Sequence, residues 1–271
     1  MGNEWPLVIF TILAQMGIGL LVMAYLIKET VGDNRKKVIT GVVLCTAASM
    51  LVSTSHLGDP AGAYRAIFNL QSSWLSREIF LLGLFFACSL FILYRVRKSE
   101  SASIDTYSLL GVVLGVSTVI SMGNIYYFSS ILAWMNLYTH ISFLTAMLMV
   151  GGSLLAILVK TNHEQSKDTL KKVMGVNSIL FVVQLVAFVM YFSYLTTSAP
   201  ASANFFVNHM GLWLFAQGSL FLGVLIGLWG VRGYIKNGQG VKLYLACGFV
   251  CVLLGMMVNR YLFYASGSFM W

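Results

Sequence analysis

Eight long apolar runs fill this sequence, and the connectors between them alternate between strongly basic and nearly free of lysine. The runs are 5–27, 38–57, 78–94, 106–127, 138–159, 173–195, 210–230 and 243–264. A bilayer's hydrocarbon core needs roughly 20 apolar residues per crossing helix. Inside it, each backbone N–H and C=O must find its partner within the segment or in a closed barrel. The expected fold class is therefore all-α: a polytopic membrane protein of eight transmembrane helices, arranged as two four-helix bundles, with residues 1–271 forming a single integral-membrane domain.

The cations set the expected direction of the chain. Lys28, Arg35, Lys36 and Lys37 belong to the first connector, and Arg95, Arg97 and Lys98 to the third. Lys160, Lys167, Lys171 and Lys172 belong to the fifth, and Arg232, Lys236 and Lys242 to the seventh. Basic residues are retained on the cytoplasmic side, so both termini are expected on the outer, periplasmic side. Only Arg65, Arg77 and Arg260 remain toward that side.

Composition closes off other classes. The chain is 58% hydrophobic and 10% charged, against about 25% charged in soluble domains. Its net charge of +8 sits in short loops, where it matches an anionic inner leaflet rather than a nucleic acid. Glu4 and no Lys or Arg precede the first run. A cleavable leader starts with a basic segment, so the first run is expected to stay as a span. Cys45, Cys88, Cys247 and Cys251 all lie in apolar runs without a CxxC pair, so neither zinc nor an iron–sulfur cluster is expected in this chain. Trp5, Trp74, Trp134 and Trp213 fall near outer ends, where an apolar ring with a polar N–H is favoured. Gly111-x-x-x-Gly115 and Gly223-x-x-x-Gly227 are spaced for close helix approach.

One segment departs from this pattern. SHLGDPAGAYRAIFNLQSSWLSREIF, residues 55–80, joins the second and third runs and holds His56, Asp59, Arg65, Arg77 and Glu78. His56 ends one helix and Glu78 starts the next, so both can face one pocket at the lipid–water boundary. An imidazole and a carboxylate there can accept protons from a buried hydroxyl. Arg77 and Arg260, the latter placed at the same depth as Glu78, are candidates to hold that carboxylate ionised. Plainer readings stay open. A helix-end glutamate also stabilises the N-terminal dipole, His56 also suits a turn, and long arginines also snorkel to headgroups. A haem bridging His56 and His140 is a poor fit, because no histidine lies mid-span.

The pattern His56-Leu57-Gly58-x-Pro60, followed by Ser73-Trp74-Leu75-Ser76-Arg77-Glu78-Ile79, resembles the membrane-anchor subunit of dimethyl sulfoxide reductase, the DmsC-type family. Glu4-Trp5-Pro6-Leu7 and Arg260-x-x-Phe263-Tyr264 fit the same pattern. The resemblance implies a multi-pass protein of the bacterial inner membrane that takes part in anaerobic respiration. It implies two partners on the periplasmic side: a molybdopterin catalytic subunit and a ferredoxin-like iron–sulfur subunit, which hold the molybdopterin and the clusters. It also implies menaquinol as the bound redox species, no haem in the anchor, and His56 and Glu78 as the residues of quinol oxidation. Arg260, Arg77, Ser76 and Asp59 are then the further quinol-binding candidates, with Asp59 passing protons to bulk water. Behind this stand two other classes. One is a purely structural anchor. The other is a proton-coupled transporter, which ranks last because transporters place ionisable groups near mid-span.

Overall fold

The computed structural model describes residues 4–27, 35–55, 69–98, 106–160, 164–238 and 240–268. Among these, all regular structure is helical. The helices are α1 (Trp5–Leu26), α2 (Arg35–Ser55), α3 (Trp74–Lys98), α4 (Thr106–Tyr127), α5 (Tyr138–Leu158), α6 (Glu164–Ser198), α7 (Pro200–Asn208), α8 (Met210–Asn237) and α9 (Val241–Ser268). Eight of them are long and apolar enough to cross a membrane. The short α7 is the ninth helix among the described residues.

Several helices outrun their apolar runs. α6 has 35 residues, about 50 Å at 1.5 Å per residue, far beyond a hydrocarbon core. Its first turns, expected as a solvated loop, are helical instead. Hydropathy reports where the membrane ends, whereas Lys- and Glu-rich sequence continues a helix readily in water. Lys172 and Asp168 pair at 2.8 Å one turn apart on this exposed stretch. α3 likewise runs on to Lys98 and α8 to Asn237. The connector expected at 196–209 is mostly α7, which opens on Pro200 at a first-turn position where its missing N–H costs nothing.

The spans pack as two four-helix bundles. α1 to α4 form one, through the contacts α1–α2, α2–α3, α3–α4 and α1–α4. α5, α6, α8 and α9 form the other, through α5–α6, α6–α8, α8–α9 and α5–α9. α1 against α5 is the main seam between them. Without a hydrophobic driving force between helices in lipid, close packing must hold such a seam. A Cβ on Gly19 would lie 1.8 Å from the Met147 carbonyl oxygen, and one on Gly151 2.2 Å from Gly19 C. α8 and α9 meet in the same way: a Cβ on Gly223 would lie 2.8 Å from the Gly248 oxygen.

α1 begins and α9 ends at the same end of the molecule, where Trp5 stacks on Tyr261 at 5.2 Å and Tyr264 Oη donates to Thr11 Oγ1 at 3.2 Å. The described Lys and Arg residues cluster at the opposite end, with Arg77 and Arg260 apart from them. The connector 128–137, which carries no acidic or basic side chain, folds inward. Its carbonyls at Ala133 and Leu132 accept from Tyr191 Oη (2.9 Å) and Tyr194 Oη (3.0 Å) of α6. Trp134 Nε1 donates to Phe263 O of α9 at 2.9 Å.

Candidate functional site

The inner face of α3 is a stripe of buried positions at 78, 82, 85, 89, 92 and 96. Steps of four and three residues keep such positions on one side of a helix. Five of the six are Leu82, Phe85, Ser89, Ile92 and Val96; the first is Glu78, only 3% exposed. A carboxyl group thus stands where packing asks for an apolar side chain. Burial at the fifth helical residue also removes it from the solvated first turn where a dipole-stabilising glutamate belongs. That turn is closed without it: Ser76 N donates to Ser73 Oγ at 3.3 Å, a side-chain cap.

Among the described residues nothing bonds to the Glu78 carboxylate, and neither candidate arginine pairs with it. Arg77 turns back toward the loop. Its Nε donates to Leu70 O at 2.8 Å and its Nη2 to Gln71 O at 2.7 Å, while the guanidinium lies 4.1 Å above the Trp74 ring. It ties the end of the connector to the start of α3. Ser76 is buried, but two residues along a helix turn it about 200° away from Glu78, so these two do not share a pocket. His56 and Asp59 lie outside the described residues.

Arg260 is 2% exposed, inside the second bundle. It stands eight residues before the end of α9, and Glu78 four residues after the start of α3. The Arg260 guanidinium carbon lies 3.5 Å from the Phe143 ring centroid, and Nη2 donates to Gln15 Oε1 at 3.1 Å. Arg260 Nε and Nη1 and Gln15 Nε2 are buried with no hydrogen-bond partner among the described residues. Tyr126 and Tyr264, 5.2 Å apart by ring centroids, are both near enough to Glu78 and Arg260 to interact with each electrostatically, and the Arg260 guanidinium carbon lies 5.9 Å from the Tyr264 ring. The acid and the base are thus joined through an aromatic cluster, which Phe143, Phe263 and Trp134 complete around Tyr126. Gln15, Tyr126 and Phe143 were not singled out from the sequence. A lone amide in an otherwise apolar first span was the available signal for Gln15.

On the lipid side of α3 a groove of about 450 Å³ runs along the seam with α4. Ligand pockets commonly measure about 300–1,000 Å³. It is lined by Leu70, Trp74, Arg77, Phe80, Leu81, Ser117, Ile120, Ser121 and Asn124. Phe80 and Ile120 are substantially exposed, so the groove opens toward lipid. Trp74 stacks on Phe128 at its mouth, 5.7 Å between centroids. Ser121 Oγ donates to Trp74 O at 3.3 Å and fastens the seam. Glu78 is about 40° around α3 from Trp74 and 60° from Leu81, one helical step inward from the groove wall.

The sequence is 25% identical over 275 residues to the YnfH chain of anaerobic dimethyl sulfoxide reductase from Escherichia coli (strain K12), covering 97% of this protein and 96% of that one. It is 27% identical over 273 residues to the C chain of anaerobic dimethyl sulfoxide reductase from the same strain, covering 97% and 94%. The corresponding C chain from Haemophilus influenzae is 27% identical over 169 residues, 60% of this protein and 61% of that one. The family described as DMSO reductase anchor subunit (DmsC) matches residues 1–266, and the protein belongs to that family.

Proposed function

We propose that this protein binds and oxidises menaquinol at the Glu78 end of the bundle and passes the electrons to an iron–sulfur subunit. From there they reach a molybdopterin catalytic subunit of the dimethyl sulfoxide reductase type. The protein is a multi-pass protein of the bacterial inner membrane and a reductase anchor by family. The observation that carries the finer reading is Glu78: a buried carboxyl with no partner among the described residues, one step inward from a groove open to lipid. A buried ionisable group in a span is costly unless it has a task.

The groove suits a lipid-borne bicyclic headgroup. It combines an apolar wall of Trp74, Phe80, Leu81 and Ile120 with a few polar groups, and its open flank lets a prenyl tail remain in the bilayer. Quinol oxidation releases two protons along with two electrons. Glu78 accepts one proton as a general base. His56 takes the second and Asp59 hands protons to water. Arg260, fixed behind Tyr126 and Tyr264, supplies a constant positive field on the far side of the cluster. The lysine-rich end faces the cytoplasm, so protons and electrons both leave on the periplasmic side and little net charge crosses the membrane.

Two measurements test this reading. Purification in mild detergent is expected to bring down a molybdenum-containing subunit and a ferredoxin-like subunit with this protein. Titration of membranes containing it with a fluorescent hydroxyquinoline N-oxide, a quinol analogue, is expected to show one saturable site. A complex with no such site would reduce the protein to a purely structural anchor.

A further inference from the structure

His140 lies at the start of α5, outside everything assigned above. Its Nε2 is 2.8 Å from Asn124 Oδ1. An amide oxygen offers only lone pairs, so Nε2–H is the donor and Asn124 Oδ1 the acceptor. The imidazole is held in place. Tyr127 meets it edge-on at 5.2 Å, and Gly123 leaves just enough room, since a Cβ there would stand 2.9 Å from His140 Cδ2. This bond fixes which way the Asn124 amide points. With Oδ1 turned to His140, the NH₂ group faces away from it, on a residue that lines the lipid-side groove. Among the described residues it has no acceptor.

A primary amide at a lipid-facing seam is expensive to leave unbonded. The groove around it is otherwise apolar save for Ser117, Ser121 and Arg77. Ser121 Oγ–H is spent on Trp74 O, and Arg77 has two of its donors on loop carbonyls. Asn124 is thus an amide donor on the α4 wall, about two turns along the helix from the Ser117 hydroxyl, facing the α3 wall behind which Glu78 lies.

We propose that Asn124, oriented by His140, is the positioning donor for the headgroup of a lipid-borne naphthoquinol in the α3–α4 groove. The amide N–H donates to one ring oxygen, and the ring lies against Trp74 and Ile120. His140 moves no proton: Nε2 keeps its hydrogen and donates it to Asn124 Oδ1. This rests on the quinol reading of the same site. It adds the residue pair that sets affinity, as distinct from the carboxyl that sets rate.

The test uses the assembled complex in membranes, at equal amounts of co-purifying subunits. The readings are KM and kcat for a short-chain naphthoquinol and Kd for the hydroxyquinoline N-oxide. Asn124→Leu is expected to raise KM and Kd about tenfold, the size of one lost hydrogen bond, while kcat falls less than about threefold. His140→Leu is expected to match it. His140→Gln, whose amide N–H replaces Nε2–H, is expected to stay within about twofold of the native complex. Ile120→Trp, a lipid-facing change that fills the groove, is expected to weaken the analogue by a similar factor, and it keeps the test open if a seam variant fails to assemble. Unaltered Kd in Asn124→Leu, or in Ile120→Trp where the seam variants do not assemble, overturns the proposal. So does a kcat loss with unchanged KM in His140→Gln, which would make the imidazole a proton acceptor. Glu78→Gln separates the two layers. Normal quinol turnover there, with a raised Kd in Asn124→Leu, sinks the role of Glu78 and spares the groove. No analogue binding in the native complex sinks both.

Discussion

At the residue scale, the molecule sets two costly groups in its apolar interior and compensates neither with an ion pair among the described residues. Arg260 has one neutral partner, Gln15. Removing that amide alone leaves a buried cation with even fewer bonds, a penalty of about 1–3 kcal/mol. Gln15→Leu is therefore expected to lower the thermal midpoint of the detergent-solubilised complex, and adding Arg260→Met is expected to restore much of the loss, because a pair removed together leaves nothing unsatisfied. Additive losses in the double variant would show that the two side chains do not act as a pair. Glu78 and Arg260 were visible in the sequence because a charge inside or beside an apolar run stands out alone. The Asn124–His140 bond and the Gln15 contact were not visible. Each joins two different helices, and spacing within one helix carries no information about which neighbour its polar side chain meets.

At the element scale, the α1–α5 seam joins the two bundles and has no room to spare. Gly19→Ala would place a methyl 1.8 Å from the Met147 carbonyl. Backbone cannot yield there as a flexible side chain could, so a loss of about 1–3 kcal/mol is expected, read as a drop in thermal midpoint. Gly83→Ala is the contrast. It sits in α3 with nothing within 4 Å of the new Cβ and is expected to be neutral, or to gain about 0.5–1 kcal/mol from helix propensity. Equal effects at the two positions would contradict the seam. The two GxxxG spacings read from the sequence do face neighbouring helices: Gly115 meets Ile18 of α1 and Gly223 meets the α9 backbone. The tighter contact, Gly19 on Gly151, belongs to neither spacing, since a crossing point needs only one small residue from each helix. Eight spans were legible from hydropathy alone. Their true ends and α7 were not, because a helix stops where its backbone bonding stops rather than where the membrane does.

At the scale of the whole molecule, most of the described Lys and Arg residues and the Glu78 end lie at opposite poles of one double bundle. The positive-inside bias then sets the expected sidedness. In a variant with Cys45, Cys88, Cys247 and Cys251 replaced by serine, expressed without partner subunits, Ser130→Cys should react with an impermeant maleimide in intact spheroplasts. Asp168→Cys should react only after permeabilisation. The reverse pattern would put the quinol end in the cytoplasm. The central claim is that a buried carboxyl at the head of α3 takes a proton from quinol as electrons pass to the partner subunits. Its most direct test is naphthoquinol-dependent turnover of the assembled complex carrying Glu78→Gln, an isosteric change that keeps the packing and removes the base. Turnover lower by about 100-fold or more, with the complex still intact and the analogue still bound, is the predicted result; turnover at the native rate would contradict it.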